Sequence, residues 1–96
     1  MRMMLKVTIP VEAGNAAVQD GSLPKIMSET LERLKPEAAY FLSDNGARTA
    51  IMVFDMTDAA DLPRIAEPFF RGLNAGVTVQ PVMNADDLKK GLSKIT

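Results

Sequence analysis

The chain has 96 residues, 47% hydrophobic and 24% charged, with a formal net charge of −1, which allows one folded domain over residues 1–96 and no second one. It contains no Cys, His or Trp, and this excludes a disulfide framework, a thiolate nucleophile, an imidazole base and any Cys- or His-ligated metal or haem. Near-neutral charge without a cluster of Lys or Arg argues against nucleic acid or an acidic membrane as a partner.

The start, Met1-Arg2-Met3-Met4-Leu5-Lys6, breaks its apolar run with a lysine and does not read as a secretory signal. No apolar stretch is long enough to span a bilayer. The expectation is a cytoplasmic protein without a cofactor.

From Met3 to Ile9 the residues alternate, with Met3, Leu5, Val7 and Ile9 on one side and Met4, Lys6 and Thr8 on the other. Period two with β-branched residues predicts a strand, ended by Pro10. Residues 11–21 are small and polar and read as a loop with a short helical turn around Asn15–Gln19. Gly21 suits a left-handed helix terminus, and Ser22 can cap the next element. Between Leu23 and Lys35 the apolar residues Leu23, Ile26, Met27, Leu31 and Leu34 fall on one helical face, with Glu29 and Arg33 spaced as a supporting ion pair. Pro36 stops that helix.

Two apolar runs, Ala38–Ser43 and Arg48–Met56, flank Asn45-Gly46, the pair that accepts positive φ at both centres of a type I′ turn. A β-hairpin with that turn pairs residues whose numbers sum to 91, so Tyr40 opposes Ile51 and Phe41 opposes Ala50. Directly opposed residues share a face. One face then carries Tyr40, Leu42, Thr49, Ile51 and Val53, the other Ala39, Phe41, Ala50, Met52 and Phe54. Both are apolar.

Asp58 or Asp61 caps a further helix with Pro63 in its first turn. Its buried stripe is Leu62, Ile65, Ala66, Phe69, Phe70 and Leu73, with Pro68 expected to kink or split it and Asn74 or Gly76 to end it. Val77–Met83 alternates again, and Pro81 places this strand at a sheet edge. Asn84 caps a tail helix whose apolar stripe is Leu88, Leu92 and Ile95.

The order β-α-β-β-α-β plus a C-terminal helix predicts an α+β fold, a ferredoxin-like sandwich with an antiparallel sheet ordered 4-1-3-2 and helices on one side. Two helices cover one sheet face, while the strand Thr49–Met56 is apolar on both. An uncovered face of that content exceeds what soluble monomers normally expose, so a homodimer with facing sheets is expected, the tail helix packing on the partner. The alternative is that this helix covers its own sheet.

In element order and length the chain resembles the dimeric α+β-barrel superfamily. The stretch Thr8-x-Pro10-x-Glu12-x-Gly14-Asn15 followed by Asp20-Gly21-Ser22-Leu23-Pro24 is similar to small bacterial proteins of that group. The resemblance implies two subunits closing a barrel that can hold a ligand. It implies no activity, because the haem-binding members use His, and the cofactor-free monooxygenases rely on Asn with Trp.

Candidate site residues follow from the strand alternation. With Leu5, Val7 and Ile9 on the helices, Lys6 and Thr8 point into the barrel, as do Thr78 and Gln80; Tyr40 joins them as a buried phenol needing a hydroxyl partner. A cavity walled by Ile51 and Val53 with Lys6, Thr8, Tyr40 and Gln80 has the general form of a ligand site. A desolvated Lys6 there could serve as base or nucleophile; the plainer reading has it reaching water or an acidic partner across the dimer, with Tyr40 bonding a backbone carbonyl. Glu12, Asn15 and Asp20 lie near the expected barrel mouth, as gating or acid–base groups or simply as turn and helix caps. Two functions follow: a homodimer binding a small organic molecule, or a cofactor-independent monooxygenase or isomerase. No metal is expected.

Overall fold

In the computed structural model, which describes residues 1–96, Arg2–Ile9 forms strand β1. Met3, Leu5, Val7 and Ile9 are buried, and Met4, Lys6 and Thr8 take the opposite side. Strands β2 (Ala38–Asp44) and β3 (Ala47–Asp55) form the hairpin, with Tyr40 opposite Ile51 and Phe41 opposite Ala50. Asn45 at φ 52° and Gly46 at φ 78° make the turn, both in the left-handed region that this pair tolerates. Strand β4 (Gly76–Pro81) pairs with β1 alone, and the sheet runs β2-β3-β1-β4, antiparallel throughout. Pro81 therefore sits on an edge, where its missing N–H leaves no ladder bond unmade.

Residues 11–20 are not a loop. They form helix α1 (Val11–Asp20), which starts after Pro10 and ends at Gly21 with φ 82°. Its inward residues are Gly14 and Ala17, too small to register as an apolar stripe. The small size has a purpose. A Cβ on Gly14 would lie 2.8 Å from Nη1 of Arg48 and 3.2 Å from Cγ2 of Ile9, so a side chain there would displace the Arg48 guanidinium and press on Ile9. Helix α2 (Ser22–Leu34) follows at once. Its first residue is Ser22, whose N–H donates to Asp20 Oδ1 at 2.8 Å, and no side chain caps this helix. The expected cap at Ser22 is thus replaced by a turn held from Asp20. Lys35, with φ 45°, ends α2 one residue before Pro36.

Asp58 caps a short 3₁₀ turn, Ala59–Asp61, by accepting from the Ala60 N–H at 2.9 Å, and helix α3 (Leu62–Leu73) continues from it. Ile65, Phe69 and Leu73 are buried, but Phe70 is exposed and leaves the expected stripe. With β1, β3 and Ala17, the three buried residues of α3 make one core of 12 buried side chains, completed by Ala75. Asn74, at φ 52°, terminates α3; Gly76 opens β4 instead.

Pro68 does not split α3, which runs unbroken through it. The missing N–H of Pro68 orphans the Arg64 carbonyl one turn earlier. Arg33 of α2 supplies the replacement, its Nη1 donating to that oxygen at 3.3 Å. Arg33 is consequently not paired with Glu29, as the spacing within α2 suggests; the carbonyl across the helix pair takes the guanidinium.

Helix α4 (Ala85–Ser93) begins with a capping box, Asn84 accepting from the Asp87 N–H and Asp87 from the Asn84 N–H. It stands off the body. Leu88, Leu92 and Ile95 are all exposed, so α4 does not cover its own sheet. The radius of gyration is 15.0 Å, against about 12.5 Å for a compact chain of this length. Arg2 tethers its start, donating from Nε to Glu37 at 2.7 Å and from Nη1 to Asp87. The Glu37 hydrogen bond foremost, with the Asp87 carboxylate, raises the guanidinium pKa further above its ordinary value.

The two-layer α+β arrangement, four antiparallel strands with α1–α3 on one side, is compatible with a small ferredoxin-like fold. No helix is long and apolar enough to cross a membrane.

The Arg33 to Arg64 bond is open to a double-mutant cycle. Replacing Arg33 with Met should cost about 1 kcal/mol in urea unfolding of the native chain. In a Pro68→Ala background it should cost close to nothing, because the N–H restored at position 68 bonds the carbonyl itself. Equal losses in both backgrounds would show that the bond does not serve the proline gap.

Candidate functional site

The open sheet face is organised in rows across the strands. Lys6 of β1 lies between Ile51 of β3 and Thr78 of β4, and Tyr40 of β2 continues the row beyond Ile51. The next row carries Met4, flanked by Val53 and Gln80, and the opposite row carries Thr8 between Thr49 and Gly76. Four of the six sequence-predicted residues, Lys6, Thr8, Tyr40 and Gln80, therefore share one face. Their spacing follows from register alone, since side chains of one parity leave the pleat on one side.

Within the single chain no second layer covers these residues. Tyr40 is 69% exposed. Thr8, Thr78 and Gln80 are exposed as well. Lys6 reaches across β3 to Asp44, with Nζ 3.1 Å from Oδ2. The acidic partner lies within the chain itself, where the plainer reading placed one across the dimer. An amine engaged in an ion pair is not the free base or nucleophile that covalent or proton-transfer work needs. What the face offers chemically is apolar surface with hydroxyls and an amide at its margins.

Glu12 and Asn15 belong to a different place. Both lie on α1, on the helix side of the sheet. Glu12, exposed in the first turn, is suited to the positive end of the helix dipole. Asn15 lines a groove of about 760 Å³ between the α1–α2 corner and the hairpin. Leu23, Met27 and Phe41 wall that groove, and Arg48 is its one charged lining residue. The sequence reading missed Arg48. The signal was present: position 48 has the parity of Ala50, Met52 and Phe54, so a cation stands on the buried side of β3.

No group of three or more His, Cys, Asp or Glu side chains is placed to hold a metal ion. The chain matches no family model and no curated protein sequence.

Asp20 fixes the corner on which this groove depends. Its carboxyl is held below the ordinary value of 3.8 by the Ser22 hydroxyl foremost and then by the Ser22 backbone N–H. A lowered folded pKa means a contribution to stability that is full above pH 3.8 and lost as pH falls through the folded value. The carboxyl carbon shift of Asp20 should titrate below 3.8, and the destabilisation by Asp20→Ala should shrink as the sample is acidified through that range. A midpoint at or above the ordinary value would contradict the turn geometry.

Proposed function

We propose that the chain is a cytoplasmic homodimer whose open sheet faces meet as a dimeric α+β barrel, and that it binds a small organic molecule in or near the space between the subunits. The observation that carries this reading is the composition of that face. Met4, Ile51 and Val53 are half-buried, while Tyr40 and Leu42 are 69% and 42% exposed with no element of the chain over them. On this face Lys6 of β1 and Asp44 at the end of β2 neutralise each other. Two copies can therefore approach without net repulsion.

Area argues for a role of α4 in the same assembly. At usual strand spacing and rise, four strands of six to nine residues present a footprint on the order of 500 Å², below the ~800 Å² per partner that stable complexes bury. The stripe of Leu88, Leu92 and Ile95, exposed along α4, is the apolar surface at hand to supply the remainder. The arm and the open face are complementary and unsatisfied in one chain. A second copy satisfies both.

Light scattering at micromolar concentration should give about twice the 10.4 kDa chain mass. Tyr40→Asp, and separately the pair Leu88→Ser with Leu92→Ser, should each move the mass toward that of the single chain without loss of secondary structure. Native mass spectrometry of gently purified protein should show a small organic adduct on the dimer. A single-chain mass for the unaltered protein would overturn the pairing.

A further inference from the structure

We infer that the groove between the α1–α2 corner and the hairpin binds the carboxylate of a small amphipathic acid, with Arg48 holding the acid group and Leu23, Met27 and Phe41 holding its apolar body. The inference goes beyond the proposed function, because it places a ligand site at the α1–α2 corner and not in the space between the subunits. It does not rest on the pairing of subunits, since every residue of the groove belongs to one chain, most of them on the helix side of the sheet or at the hairpin turn, with Leu42 and Thr49 reaching it from the open face.

Four observations converge. The groove encloses about 760 Å³, within the range of clefts that take small ligands. Leu23, Met27 and Phe41 give it apolar walls, and Phe41, on the helix side of β2, remains 56% exposed. Arg48 is its one charged lining residue, and it forms none of the six ion pairs of the chain, all of which use other groups. Finally, the guanidinium is seated: Nη1 occupies the space that a side chain on Gly14 would fill, 2.8 Å from that Cβ position.

The chemistry selects the ligand class. Arginine presents a planar fork of N–H donors that matches a carboxylate in two parallel hydrogen bonds. Beside apolar walls that attraction is screened less than in open water. Asn15, also lining the groove, offers an amide N–H₂ as a further donor. No carboxylate lines the groove to repel an acid. The apolar walls require a hydrocarbon or aromatic body behind the acid group, which separates this class from inorganic phosphate or sulfate.

The probe is octanoate, followed by ¹⁵N and methyl NMR, with octylammonium and octanamide as size-matched controls. Octanoate should shift Phe41, Met27 and Arg48 in a saturable manner, and octylammonium should bind at least tenfold more weakly. Arg48→Gln should weaken octanoate at least tenfold and leave octanamide unchanged, and Arg48→Lys should recover part of the loss; unaltered spectra elsewhere establish that both variants fold. Equal affinity for the acid and the amine, shifts confined to Ile51, Val53 and Thr78, or no saturable binding would each overturn the inference. The same titration on Tyr40→Asp separates the two proposals. Retained octanoate binding supports a site complete in one copy, whatever the mass of the species; loss of binding with the fold intact would overturn it.

Discussion

Strand β3 is apolar on both sides, and the structure is arranged around that constraint. Ala50, Met52 and Phe54 enter the core against the helices, and all three are buried. Ile51 and Val53, their neighbours of opposite parity, meet no second layer within the chain. Parity is fixed by the pleat, so no shift of register relieves one face without exposing the other. The twelve-residue core stabilises the sheet from one side, and the other side stays uncovered within the chain.

Several local features follow from making a thin two-layer structure hold together. Helix α1 has Gly14 where it crosses the sheet, and the Arg48 guanidinium lies in the space that a methyl group there would take. Helix α3 carries Pro68 inside it, and its orphaned carbonyl is taken by Arg33 of α2. The arm α4 is joined to the body at its capping box, where Asp87 both closes the helix N-terminus and receives Arg2. In the last two cases a side chain from another element meets the demand, Arg33 joining α2 to α3 and Arg2 joining α4 to β1.

Much of this was legible in the residues. Period two predicts β1, the Asn45-Gly46 pair sets the hairpin and its pairing, and Pro81 marks the edge. The amphipathic stripe of α2 is equally plain. What was hidden has common causes. The inward face of α1 is Gly14 and Ala17, so a real helix left no hydrophobic period. Phe70 fits the stripe of α3 by spacing, yet it lies beyond the reach of the sheet and is exposed. Alternation places Lys6, Thr8, Tyr40 and Gln80 on one face but cannot reveal that Asp44, four residues along β2 from Tyr40, takes the lysine. The groove at Arg48 depends on a helix that the sequence did not announce.

The central claim is that the open face is buried by a second copy of itself. The most direct measurement is an isotope-filtered NOE experiment on a mixture of labelled and unlabelled protein. Cross-peaks from the methyl groups of Ile51 and Val53 in one copy to the Tyr40 ring or to Ile51 in another are the expected result. Their absence at high protein concentration, with those methyl signals fully attenuated by a paramagnetic cosolvent, would mean that water covers the face and that the account is wrong.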